Sequence, residues 1–293
     1  MDNAAERVIS EGFGLVRKNY LEFLKLYLLF AALFGMIILA AVVLFFVYVA
    51  GGGLLPGGVS GVAQASGPAV LVVVVIVAAI FLVEPLWIGS YYAMALQYLK
   101  GGSMSALGAV KMARRRYVQL LWTMALETLI FVAVDVLIFS PLLAPASGLL
   151  DAYSSSGSLG SQATGSAFLV LLGWGVALTV LFLLVALALA PLLYEAVPLV
   201  MLEDASGINA VRKSVRMGRS NFWNIAWLIA FFAIIYGLIV AGQDAVIFVL
   251  SFLGMLAGSV VGLVVWLLVS AFITAWFYAL PVIFYEDYLD RKS

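Results

Sequence analysis

The chain contains no histidine and no cysteine. Without imidazole there can be no Ser-His-Asp triad, no His-based zinc site and no phosphotransfer through His. Without thiols there are no disulfides, thiolate metal sites or thiol nucleophiles. Any metal would have to be held by oxygen alone, and no cofactor or metal site is predicted. Charge is also scarce. Asp, Glu, Lys and Arg make up 10% of the 293 residues, where a soluble domain carries roughly 25%. Strand alternation and glycine-rich nucleotide loops are missing as well.

What remains is apolar: 66% of residues are hydrophobic and the mean hydropathy is +1.18. That surplus has to face lipid rather than a core. Apolar runs cover 21–49, 69–99, 118–139, 167–201, 222–241 and 258–285. About 20 residues suffice to cross a bilayer, so each is long enough. The second run is interrupted at Glu84-Pro85. Residues 242–257 hold Gln243-Asp244 and an apolar run too short to cross, which predicts an outer interfacial or re-entrant helix. Ala63-Gln64-Ala65 resembles a signal-peptidase site, but the preceding run exceeds a secretory core, so it is read as an uncleaved span. The Gly/Ser-rich stretches 51–67 and 140–165 are predicted turnarounds.

Short basic segments precede the first, third and fifth runs. In 2–20, Ala5, Val8, Ile9, Gly12, Val16 and Tyr20 follow helical spacing. In 105–117, Leu107, Val110 and Tyr117 oppose Lys111, Arg114 and Arg115. In the third segment Ile208, Val211, Val215 and Phe222 face away from Arg212, Arg216 and Arg219. Each segment ends on a basic cluster and an aromatic residue: Arg17-Lys18-Asn19-Tyr20, Arg114-Arg115-Arg116-Tyr117 and Arg219-Ser220-Asn221-Phe222. Pro198 lies five residues before Glu203 and Pro281 five before Glu286, with Ala95 before Lys100 in the first case. The predicted fold is therefore an all-α integral membrane domain. It has six transmembrane helices as three hairpin repeats, approximately 1–100, 101–204 and 205–293, each preceded by a cytoplasmic interfacial amphipathic helix. All fifteen Lys and Arg fall on one side of this layout. The positive-inside rule then puts both termini in the cytoplasm of a multi-pass cell-membrane protein.

Four carboxylates lie inside predicted spans: Glu84, Glu127, Asp135 and Glu195. An acid at bilayer depth is costly and is a functional hypothesis by default. Glu127 and Asp135 are two turns apart on one flank, and together with Glu84 they could line a proton or cation path. The alternative, which is favoured, is that each acid hydrogen-bonds across a helix interface. Glu195 ranks last among them, because its place near the cytoplasmic end lets it reach water or an arginine. Arg17, Lys18, Lys111, Arg114, Arg115, Arg212, Arg216 and Arg219 suit an anionic leaflet, with anchoring as their plain role. Gly254, Gly258 and Gly262 form a small-residue ladder for helix packing. Tyr91, Tyr92, Tyr194, Tyr278, Tyr285 and Tyr288 cluster near span ends, as an interfacial belt would.

On the motifs at 17–20 (RKNY), 197–204 (VPLVMLED) and 218–222 (GRSNF), the chain resembles a loose group of six-span membrane proteins. That group includes the membrane domain attached to some glycerophosphodiester phosphodiesterases. The resemblance implies a membrane module without the hydrolase barrel, and it carries over no catalytic residue. The expected function is a non-enzymatic module that engages membrane lipids or a membrane or cytoplasmic protein partner, and not nucleic acid. The alternative is a transporter or channel using the intramembrane carboxylates.

Overall fold

In the computed structural model, residues 4–48, 58–142, 147, 162–251 and 255–290 are described. The described residues form α-helices and contain no strand. They are α1 (Ala4–Lys18), α2 (Tyr20–Tyr48), α3 (Gly58–Leu99), α4 (Ala106–Arg115), α5 (Tyr117–Phe139), α6 (Gln162–Leu193), α7 (Ala196–Glu203), α8 (Ile208–Ser220), α9 (Phe222–Ser251) and α10 (Met255–Asp290), with a 3-10 turn at Ser140–Leu142. Among the described residues six stretches are long and apolar enough to cross a membrane: Tyr20–Leu44, Val73–Leu99, Tyr117–Leu142, Leu172–Glu203, Phe222–Ile239 and Val261–Glu286.

The long helices close into a ring. Neighbours α2 and α3, α5 and α6, and α9 and α10 pack as hairpins, while α3 meets α5, α6 meets α9 and α10 returns to α2. The short helices sit at one end of this ring, where the chain begins. There α4 lies on α3 and α8 lies on α6, each against the second span of the hairpin before it. Helix α1 has no preceding hairpin and lies on α10. The core is concentrated at this end, around 88–96, 193–201 and 271–285, while the far halves of the spans expose Val73–Val75, Leu183, Leu184 and Leu263–Val265.

The junctions between short and long helices have local causes. Asn19 and Asn221 donate their side-chain amides back to the Leu15 and Met217 carbonyls at 3.0 and 3.2 Å, closing α1 and α8. Ser105 starts α4 by accepting the Gly108 N–H at 3.3 Å. At the second junction the linking residue is Arg116, and it reaches elsewhere. Its guanidinium donates to the carbonyls of Val200 and Met201 and pairs with Asp204 at 3.3 Å. These are the last carbonyls of α7, which need an outside donor. Asp204 ends that helix in the left-handed region (φ 61°). Gly207 then turns at φ 52°, its N–H donating to Thr123 Oγ1 at 2.9 Å. A Cβ there would sit 2.4 Å from the Trp122 ring, so the turn needs glycine twice over.

Several expected boundaries are corrected. The helix α3 runs unbroken through Glu84-Pro85 and begins at Gly58, inside the expected first turnaround. The separate outer helix expected at 242–257 is absent among the described residues: α9 continues to Ser251 and α10 starts at Met255. The reason is common to all three: backbone at membrane depth needs its hydrogen bonds satisfied internally, which favours extending a helix over a polar or proline-marked break. Most of the second turnaround lies outside the described residues, as do Gly254, Arg291 and Lys292. Gly258 is on α10, and Gly262 is buried there.

Helix α1 buries Val8, Gly12 and Val16 of its expected stripe, whereas α4 and α8 bury a different stripe from the one expected. On α4 the buried residues are Ala106, Ala109 and Ala113, while Leu107 is 75% exposed. On α8 they are Ala210, Ser214, Met217 and Gly218, and Ile208 is 62% exposed. Small residues let a helix axis come close to the span beneath it, so they take the contact that larger apolar side chains would hold apart.

Candidate functional site

Two internal features stand side by side on α3 and α10. The first is a half-open cavity of about 770 Å³ between α2, α9 and α10. Its wall is aromatic, with Phe34, Trp87, Phe232, Trp266, Phe277 and Tyr278 among its lining residues. A few polar groups interrupt it: Tyr27 and Ser270, which pair through their side chains, and Thr274 and Tyr236. A largely apolar hollow of this size with few polar groups has the character of a ligand pocket. Gly35 lies on its α2 wall, and a Cβ added there would meet nothing within 4 Å.

The second is a core of tyrosines and acids behind that wall. Tyr278 packs edge-on to Tyr92 at 5.6 Å and against Tyr91 at 5.4 Å, while Trp87 reaches Tyr278 at 6.2 Å. Tyr91 is fully buried and Tyr92 and Tyr285 nearly so. The interfacial belt expected of these tyrosines is therefore corrected, since they pack helix against helix. The Tyr288 side chain is not among those described. The Trp87 indole nitrogen and the Tyr91 hydroxyl are both buried in this core, within reach of each other.

Glu195 occupies the centre of this region. It sits at the break between α6 and α7 and is 0% exposed, and among the described residues neither carboxylate oxygen has a hydrogen-bond partner. The break has a covalent cause. Pro198 has no N–H to offer the Tyr194 carbonyl, and its ring crowds that carbonyl. Ser214 of α8 fills the gap, accepting the Glu195 N–H at 3.1 Å and donating to the Leu192 carbonyl at 2.8 Å. Inserting a side chain into a helical ladder in this way sustains a kink. The position expected to be the least internal of the four acids is thus the most buried. Hydropathy alone could not reveal that α8 folds over it.

The other acids fall in different environments. Glu127 on α5 is partly buried and, like Glu195, interacts electrostatically with Tyr92. Glu84 on α3 is partly buried and interacts with Tyr278. Asp135 is exposed, and the expected shared flank with Glu127 is not formed: eight residues rotate about 80° around a helix. None of the four lines the cavity. Arg17, Lys18, Lys111, Arg114, Arg115, Arg212, Arg216 and Arg219 are all exposed at the end of the ring that carries the short helices. Arg116 and Ser214 were not singled out by sequence. Their signals were a third arginine in a row of three and a lone hydroxyl on the apolar side of a basic helix.

Over residues 4–288 the chain matches the family described as a domain of unknown function (DUF7847), and it belongs to that family. No curated protein matches it, and no solved structure matches it.

Proposed function

We propose that this DUF7847 member is a non-enzymatic multi-pass membrane module that takes up a lipid-like, largely apolar molecule between α2, α9 and α10. The observation that carries this reading is the aromatic cavity of about 770 Å³, whose lining contains none of the four intramembrane acids. An apolar chain gains from burial against such a wall, while a proton or metal ion finds no charged group on it. The resemblance to the membrane domain of some glycerophosphodiester phosphodiesterases belongs to the same proposal, as a module separated from its enzyme.

The architecture proposed with it is three repeats around a pseudo-threefold axis, with basic amphipathic helices on the cytoplasmic leaflet. Positions support it. Gly12, Ala109 and Ser214 lie eight residues before Tyr20, Tyr117 and Phe222, and Val16, Ala113 and Gly218 lie four before; all six are buried. Tyr92, Glu195 and Tyr278 each lie eight residues before Lys100, Glu203 and Glu286. Exposed Leu107 and Ile208 beside exposed Lys and Arg suit helices lying on a leaflet. Cysteine labelling in intact cells at Ser60 and at Asn209, an exposed position on α8, tests the orientation, and external labelling at 209 would overturn it.

The cavity is tested by Gly35→Phe, whose side chain enters open space. Lipids extracted from the purified full chain are quantified by mass spectrometry, and the variant is expected to lose a species that wild type retains. Equal retention by a folded variant overturns the reading. A second reading, a proton or cation path, is favoured by one observation: Glu195 is buried without a partner at a broken helix, the arrangement of carrier sites. Glu84→Gln, Glu127→Gln and Glu195→Gln in a liposome flux assay test it, and unchanged or absent flux throughout counts against it.

A further inference from the structure

On α8, Arg212, Arg216 and Arg219 are spaced at i, i+4 and i+7 and so form one stripe. The stripe lies opposite the buried face of Ala210, Ser214 and Met217. The three arginines, with Val215 and Ser220, line a surface concavity of about 520 Å³. All three are exposed and, among the described residues, none has an ion-pair partner. Nearby carboxylates are already taken by cations outside the stripe: Glu203 pairs with Lys213 and Asp204 with Arg116. The concavity therefore carries three positive charges with no counter-ion among the described residues.

The stripe is presented from a fixed support. Ser214 is hydrogen-bonded into the α6–α7 break, and Gly218 lies so close to Pro191 and Leu192 that a Cβ would meet their backbone at 2.5 and 2.7 Å. Helix α9 begins three residues after Arg219, and its Trp223 is 81% exposed. An exposed tryptophan at the end of an apolar span marks the headgroup level of a bilayer. Guanidinium groups bind phosphate oxygens in pairs, with planar donors matched to that geometry.

We propose that the α8 concavity is a phosphate-binding site, formed by Arg212, Arg216 and Arg219, that takes the phosphodiester of an anionic lipid headgroup or a free phosphate anion. It uses none of the cavity's residues and stands or falls apart from it. Helix α4 supplies an internal control, since Lys111, Arg114 and Arg115 are likewise exposed and carry the same charge. Diffuse attraction to an anionic surface predicts equal effects from neutralising either helix, whereas a site predicts a difference.

The full chain in detergent is titrated with phosphatidylglycerol or phosphatidylcholine and read by native mass spectrometry. A parallel arm uses inorganic phosphate and pyrophosphate, read as a thermal shift and as competition with phosphatidylglycerol. The R212Q/R216Q/R219Q variant is compared with K111Q/R114Q/R115Q, and R216Q alone stands in should the triple variant fail to fold. Apparent affinity is expected to fall about fivefold for each α8 arginine removed and to change less than about twofold in the α4 variant. Phosphatidylglycerol binding without competition by phosphate identifies a lipid headgroup; protection and competition by phosphate identify the free anion. Equal losses in the two triple variants, binding that ignores the α8 arginines, or no binding in either arm would overturn the site.

Discussion

The Tyr20 hydroxyl donates to the Leu268 carbonyl at 2.7 Å, tying the first residue of α2 to a helix 248 positions further along the chain. The Tyr117 hydroxyl does the same to Leu82 of α3 at 2.8 Å. Leu82 and Leu268 both lie eighteen residues before an exit charge, Lys100 or Glu286, and the corresponding place in α6 is Val185. The third aromatic in the series is Phe222, which has no hydroxyl to offer. A ring of three repeats would therefore have two of its three inter-unit hydrogen bonds in place.

Restoring the third tests that arrangement. Tyr20→Phe and Tyr117→Phe are each expected to cost about 0.6–1 kcal/mol, the scale of one hydrogen bond in a membrane protein. Phe222→Tyr is expected to stabilise by a similar amount, read as a higher thermal midpoint in detergent. A destabilised Phe222→Tyr, or tyrosine-to-phenylalanine changes without effect, would count against the threefold arrangement.

Gly218 marks the closest approach between α8 and the broken span. Its missing Cβ faces the Pro191 carbonyl oxygen and the Leu192 Cα, both backbone, so neither can swing aside. Gly218→Ala is expected to destabilise by about 1–3 kcal/mol through overpacking. Gly14→Ala is the control: no atom lies within 4 Å of its added Cβ, and alanine favours the helix by up to about 1 kcal/mol. Chemical unfolding of both variants should move in opposite directions. Matching shifts would mean that α8 is not clamped as described.

Arg116 closes α7 from the junction between α4 and α5, with its fork on two carbonyls and on Asp204. A lysine offers its donors from a single nitrogen and cannot span all three acceptors as the planar fork does. Arg116→Lys is expected to cost about 1–3 kcal/mol and to speed amide exchange locally, at the C-terminal turn of α7. Mass-resolved hydrogen exchange reads this directly. Unchanged protection around 199–205 would show that the cap is dispensable.

These contacts mark where sequence reading ends. Apolar length and the basic-then-aromatic junctions were legible, because a span must cover the bilayer and a chain turns where Asn or Ser can cap it. The wrong boundaries at Glu84-Pro85 and 242–257 came from reading polar residues as breaks. At membrane depth the backbone's need for partners outweighs one proline or one acid. The site was only half legible. The four acids could be found, but not ranked, since burial of Glu195 depends on α8 folding back over the α6–α7 break. The stripe on α8 was visible as charge. Its buried face was misassigned because hydrophobic periodicity favours Ile208 and Val215, whereas close helix contact selects Ala210, Ser214 and Gly218.

Glu195 separates stability from function most sharply. Its carboxylate is enclosed with no hydrogen-bond partner among the described residues, and burying such a group unpaired costs more than burying an apolar side chain of similar volume. Its backbone N–H, which Ser214 accepts, does not depend on the side chain. Glu195→Met is therefore expected to keep the break and to stabilise the fold by about 1–3 kcal/mol. Glu195→Ala leaves an empty space and should gain less or lose. Thermal unfolding in detergent ranks the three. A destabilised methionine variant would mean that the carboxylate has a bound partner, such as an ion or a water, and would move weight to the conductive reading. A stabilised variant that still retains its extracted lipid would leave the apolar cavity as the functional site.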